Sequence, residues 1–369
     1  LDSSRPARLH GLDTLRALAI VVVMVFHLGG YLPPALAPVA DLGWMGVDLF
    51  FVLSGFLIGS QLLQPCARGE YVDVPAFYAR RAYRILPAYF VVLALYGVIP
   101  AWREQALLPA AWKFVTFTMN LVMNYPAELA FSHAWSLCVE EHFYLVLPWL
   151  VVWCLRRPSM RKTMTLFVGL VALGVAVRGW ELFHVVRVPG LSDDEAWAMF
   201  MKRIYYPTYS RLDGLLMGVA LACVQVFRPG WWARVSRRGW ELLVAGLAVS
   251  GGAVWLFRDG YPSFDQTAGV LVGFPVLSLG LTLLVAAAVS ENGALRRRVP
   301  GAKMVATLAF GLYLTHKEVA HVDRLLLSWM ERPSWRAAAV YVATCFAVAG
   351  ALYVAVERPF LRLRARRLG

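Results

Sequence analysis

Apolar runs recur along the whole chain, most of them close to the roughly 20 residues that a helix needs to cross a bilayer. They lie near residues 12–32, 43–64, 84–100, 133–155, 163–182, 207–227, 239–257, 267–290, 303–329 and 335–357. The pattern predicts an all-α polytopic membrane protein of about ten transmembrane helices. A further apolar stretch at 110–125 is short for a span, and basic residues decide its status. With ten spans and a cytoplasmic N-terminus, 23 of the 36 basic residues fall on one side. They comprise Arg5 and Arg8, Arg68 with the "ARRAYR" cluster, "RRPSMRK" at 156–162, Arg228 to Arg238, Arg296 to Lys303, and the C-terminal "RPFLRLRARR". That asymmetry follows the positive-inside rule, and a span at 110–125 would destroy it. The stretch is therefore expected to be a short non-spanning helix on the outer face, with both termini cytoplasmic.

Connecting loops of the length of 101–132 and 183–206 are too short for a soluble domain, and no internal repeat is visible. One domain, 1–369, is expected. Composition agrees: 59% of residues are hydrophobic and mean hydropathy is +0.59. The net charge of +13 does not point to nucleic acid, because the basic residues sit in short clusters between apolar runs. Cys66, Cys138, Cys154, Cys223 and Cys345 lie singly, without the spacing of a zinc site or disulfide framework, so no metal is expected. The first run, "LRALAIVVVMVFHLGG", is read as a retained helix rather than a cleaved signal peptide, since His27 interrupts it.

Ionisable residues inside spans are costly and are functional candidates by default. Arg16 and His27 are eleven positions apart, almost three helical turns, so they share a face about 16 Å apart. Counting from the outer ends of their spans puts Asp48 about 8 Å deep and Glu140 about 10 Å deep, near the layer of His27. Ser136 shares the face of Glu140 at a four-residue spacing. Arg178, Glu181, Arg211, Asp213, His316, Lys317 and Glu318 reach the same outer half. The inner layer is almost purely basic, with Arg16, Arg80, Arg81 and Arg84, and guanidinium groups suit the oxygens of a phosphate-bearing anion.

Several of these segments resemble the acyltransferase family 3 integral membrane proteins, which O-acylate sugars, polysaccharides and some antibiotics. "RALAIVVVMVFH" has the family's arginine, ten residues, histidine pattern. "GVDLFFVLSGFLIG", "FYARRAYRILP", "AWSLCVEEHFYL", "RLDGLLMG" and "VERPF" follow in the family's order, spanning residues 11–360. The chain departs from the pattern at His142, where glutamine is usual, at Phe310, where tyrosine is common, and at Glu318, where proline is frequent. No extracytoplasmic hydrolase-like domain is read within these residues, so the membrane unit or a partner is expected to handle the acceptor.

The resemblance implies acyl transfer from cytoplasmic acyl-coenzyme A, acetyl-coenzyme A above all, with no permanently bound cofactor. The acceptor implied is a hydroxyl of a sugar, polysaccharide or glycosylated small molecule outside a bacterial cytoplasmic membrane. His27 is the implied general base, with Asp48 or Glu140 orienting its ring. An acyl-His27 intermediate is the two-step version of the same chemistry. The donor- and substrate-binding set is Arg16, Arg80, Arg81, Arg84, Ser54, Ser136, Tyr144, Arg211, Asp213 and His316. Arg211, or backbone N–H groups at Ser54 and Gly55, are candidates for stabilising the oxyanion. Trp102, Trp112, Tyr125, Trp197, Tyr205 and Tyr206 are candidate sugar-stacking rings. Bland readings stand beside these. Asp48 and Glu140 are equally candidates for structural partners of Arg211 or Lys317, the three loop arginines for topology and anionic lipid, and the glycines of "FVLSGFLIG" for helix packing. The rival class is a proton-coupled transporter, which also gathers histidine and carboxylates at mid-membrane.

Overall fold

The computed structural model describes residues 10–258 and 261–368, and its regular structure is entirely helical among them. Arg5 and Arg8 lie outside the described residues. All ten apolar runs form helices: α1 (His10–Leu28), α2 (Met45–Ala67), α3 (Val74–Val98), α4 (Trp135–Arg156), α5 (Met160–Glu181), α6 (Asp213–Phe227), α7 (Gly239–Leu256), α8 (Phe274–Ala288), α9 (Ala302–Leu326) and α10 (Trp335–Leu352). A basic helix, α11 (Arg358–Leu368), ends the described chain. Eight of the segments are long and apolar enough to cross a membrane. α6 has only 15 residues and turns by 110° into the short helix Pro229–Val235, making a ninth if that bent pair counts as one. α9 is 25 residues long but carries Lys303, Lys317, Glu318, Asp323 and Arg324, which lower its hydropathy. The protein is a polytopic membrane protein in which the least apolar long helix has 12 of its 25 residues buried, His316 and Glu318 among them.

The stretch at 110–125 differs from expectation. Only Ala111–Val115 is helical, and turns follow. Phe117 adopts a positive φ of 55°, which interrupts the helical backbone soon after Val115.

α2 is the central helix, with 78% of its apolar window buried, whereas α5 and α7 bury 17% and sit at the periphery. Trp149, Trp153, Trp180, Trp240 and Trp255 stand at least half exposed on outer faces, as lipid-facing aromatics do. Glycine permits the tightest approach in the bundle. A Cβ on Gly55 would lie 2.1 Å from the Leu215 carbonyl oxygen of α6, and one on Gly218 would lie 2.2 Å from that of Val52. Here the glycines of "FVLSGFLIG" serve close packing. α1 packs between α2 and α9, α4 touches α2, and α11 lies against α3.

α3 begins ten residues earlier than its apolar pattern predicts. Asp73 caps it, accepting from the Ala76 N–H at 2.9 Å, and Pro75 stands in the first turn. The "ARRAYR" cluster is thus helix rather than loop, and Pro87 lies within the helix.

Candidate functional site

At the Arg16 end of α1 the bundle encloses a cavity of about 320 Å³, at the lower end of small-molecule sites. Helical geometry explains which residues reach it. Arg81 and Arg84 are three positions apart, neighbours on one face of α3, and both line the wall with Arg16 of α1. Arg80, one position from Arg81 and so rotated by about 100°, is not part of the wall. α2 contributes Ser54 and Gln61, while α4 contributes Ser136, Glu140 and Tyr144. Ser136, Glu140 and Tyr144 are spaced by four and form a polar strip up α4. Glu140 is tied down by neighbours: Ser54 Oγ donates to it at 3.0 Å, and the Tyr144 hydroxyl also donates. The Arg81 guanidinium lies 4.0 Å over the Tyr144 ring, with Glu141 at 3.9 Å. Arg364 of α11 also lines the wall, as does Tyr313 of α9.

At the other end of α1, His27 does not meet Asp48 or Glu140, as the depth count suggested. Its Nδ1 lies 2.8 Å from Nε2 of His316 on α9. His133, just before α4, completes a cluster, its ring centre 6.2 Å from that of His27 and 5.3 Å from that of His316. His133 and His316 are buried, whereas His27 retains accessible surface. With both rings neutral, the hydrogen-bond partners dictate the tautomers. His316 Nδ1 faces the carbonyl oxygens of Leu312 and Tyr313 at 2.9 and 3.0 Å, which only accept. It must therefore donate, leaving His316 Nε2 as acceptor. His27 Nδ1–H donates to that nitrogen, so the lone pair of His27 lies on Nε2.

Tyr313 and Ser136 connect the two regions. Both line the cavity, and their hydroxyls lie 2.8 Å apart. The Tyr313 hydroxyl also donates to the His133 carbonyl, and its ring stands 6.4 Å from that of His316. His133, Tyr313 and Arg364 were not singled out from the sequence. The available signals were position: His133 opens "HAWSLCVEE", and Tyr313 precedes His316 by three, one face of α9.

His133 is presented by a strained turn. Phe131 has φ 58°, its N–H donates to Glu104 at 3.1 Å, and its ring stacks on Tyr96 at 4.6 Å. Glu104, His133 and Glu318 bring ligand-type atoms within 4.8 Å of one another. The Lys317 ammonium is 3.2 Å from Glu104, and His133 Nε2 is 3.7 Å from Glu318 Oε1.

The remaining expected residues have other partners. Asp48 accepts two hydrogen bonds from Arg211 at 2.9 and 3.0 Å, both side chains buried, and neither lines the cavity. The Arg211 guanidinium is walled by Phe274 at 4.2 Å and Tyr205 at 4.7 Å. This is the structural pairing weighed for Asp48, and it turns Arg211 away from an oxyanion role. Asp213 accepts from Arg178 at 2.7 Å. The N–H groups of Ser54 and Gly55 lie inside the continuous α2, where the helix itself uses them. Tyr205 and Tyr206 are buried among Trp135 and other rings, whereas Trp112 is exposed.

Similarity to known proteins gives the class of this polytopic bundle. The chain belongs to the acyltransferase family, whose acyltransferase domain matches residues 9–356. Among relatives, it is 26% identical over 367 residues to the peptidoglycan O-acetyltransferase OatA of Listeria monocytogenes, covering 94% of this chain and 55% of that protein. It is 29% identical over 234 residues to the O-acetyltransferase OatA of Staphylococcus aureus, covering 59% of this chain and 35% of that protein. Bacillus subtilis YrhL is 26% identical over 367 residues, with 95% of this chain and 54% of that protein covered. The chain spans about half the length of the first and third of these and about a third of the second. No solved structure matches.

Proposed function

We propose that this chain is the membrane unit of a bacterial O-acyltransferase. It takes an acyl group, acetyl by preference, from acyl-coenzyme A at the cytoplasmic mouth of the cavity. It passes the group to a glycan hydroxyl on the outer side of the cytoplasmic membrane. The names of the relatives favour a cell-wall glycan as acceptor. The observation that carries the reading is the hydrogen-bonded link between the cavity and the histidine cluster: Arg16, Arg81 and Arg84 line the same wall as Ser136 and Tyr313, whose hydroxyls are bonded to each other, and the Tyr313 hydroxyl is bonded to the backbone carbonyl of His133.

In this reading the donor's phosphates meet the guanidinium groups and its pantetheine arm extends toward Ser136 and Tyr313. His27 Nε2 takes the proton of the acceptor hydroxyl as that oxygen attacks the thioester carbonyl. The carbon–sulfur bond breaks, and the departing thiolate receives the proton from His27. His316 holds the productive tautomer of His27, the part that a carboxylate plays in a serine protease triad. Glu140, fixed by Ser54 and Tyr144, is a polar element of the donor wall rather than the orienter of His27.

The reading is tested in cells. Deleting the gene should remove an ester from an exported glycan, wild-type protein should restore it, and His27→Ala, expressed at the same level in the membrane, should not. Full restoration by His27→Ala would remove the base from this mechanism.

A further inference from the structure

The C-terminal helix α11 has five arginines among its eleven residues. A polybasic amphipathic helix at this position ordinarily rests on anionic lipid headgroups, and exposed Arg362 and Arg366 suit that role. Arg364 does something different. It is half-buried and turned into the cavity wall beside Arg16, Arg81 and Arg84. α11 is fixed in that place, since it packs along α3 and Arg367 Nη1 donates to the Tyr83 hydroxyl at 3.2 Å.

Three of these four arginines come from the bundle itself, on α1 and α3. The fourth comes from a helix that follows the last span and lies outside the bundle core. An acyl-coenzyme A bound with its thioester deep and its nucleotide at the mouth presents its charges in order: the diphosphate nearer the thioester, the 3′-phosphate of the ribose farther out. We infer that Arg364 binds the 3′-phosphate of the donor, so that α11 is part of the nucleotide site and gives the protein its preference for coenzyme A over dephosphorylated analogues. The inference rests on the acyl-coenzyme A reading above. Its chemistry is specific to arginine, whose fork offers two parallel hydrogen bonds to phosphate oxygens that a lysine ammonium does not.

The test is equilibrium binding to the full chain in lipid nanodiscs, with acetyl-coenzyme A and 3′-dephospho-acetyl-coenzyme A as probes. Wild type should bind the phosphorylated donor at least about tenfold more tightly, the scale of one charge-assisted contact. Arg364→Ala should bind the two equally, Arg364→Lys should recover part of the preference, and Arg366→Ala, on the exposed side, should keep all of it. Arg364→Gln, which preserves length and packing, guards against misfolding and should behave as the alanine variant. A full preference retained by folded Arg364→Gln overturns the inference, and so does a wild type that binds both donors equally. A wild type that binds neither donor overturns the acyl-coenzyme A reading itself, a result distinguishable from the other two.

Discussion

His316 lies 289 positions from His27 in sequence, and its replacement is the sharpest test of the site's geometry. In His316→Ala the His27 Nδ1–H loses its acceptor. An unsatisfied N–H in such a setting costs about 1–3 kcal/mol. The ring can escape that cost by moving its proton to Nε2, which removes the lone pair that receives the acceptor's proton. If the tautomer equilibrium shifts by that amount, the productive fraction falls about 5- to 150-fold. The loss belongs in kcat, because His316 does not line the cavity in which the donor is placed. The KM for acetyl-coenzyme A should stay within about twofold. His316→Gln, whose amide oxygen is able to accept from Nδ1–H, should recover part of the rate. Coenzyme A release can be followed with a thiol reagent, using purified protein and a soluble glycan acceptor at saturation. A kcat for His316→Ala equal to wild type, with His27→Ala inactive, would refute the tautomer argument. So would a change confined to the donor KM.

Other expectations follow from the same contacts. Arg81→Ala and Arg84→Ala should each raise the donor KM about tenfold or more, the scale of a lost charge-assisted hydrogen bond, while Arg80→Ala changes it little. Asp48→Asn strands a buried guanidinium and should destabilise the protein by about 3–5 kcal/mol, read as a lower thermal midpoint in detergent. Pairing it with Arg211→Met should restore most of that loss, since no buried charge is then left unpaired. Gly55→Ala should cost about 1–3 kcal/mol by pushing α2 from α6, whereas Gly97→Ala, with nothing within 4 Å of the new Cβ, should be tolerated.

The helices were legible because apolar runs near bilayer length leave few alternatives to a helix. Their ends were less so. The start of α3 was missed because its first turns carry arginines, and only the Asp73 cap and Pro75 mark them as helix. The face shared by two residues of one helix was also readable, as for Arg16 and His27. The structure sets Arg16 in the cavity wall with Tyr313 of α9, and His27 against His316 of that same helix. Depth does not give rotation about the axis or the order of helices around the bundle. The depth count puts Asp48, Glu140 and His27 near one layer, yet Asp48 faces Arg211, Glu140 faces the cavity, and His27 faces α9. His133 and Arg364 escaped notice for another reason: His133 stands just before α4 and Arg364 in the basic helix beyond the last span, places where an ionisable residue carries no desolvation signal in the sequence. Arg364 was counted only among the basic residues that set topology.

The central claim is that one chain carries an acyl group between donor and acceptor on opposite faces of a membrane. Its most direct measurement uses proteoliposomes with uniform protein orientation, radiolabelled acetyl-coenzyme A on the cytoplasmic face and a glycan acceptor enclosed on the other. Labelled ester is expected on the enclosed glycan, with one coenzyme A released per ester and neither product with His27→Ala. Ester formation only when donor and acceptor share a face, or transfer that persists in His27→Ala, would contradict the claim.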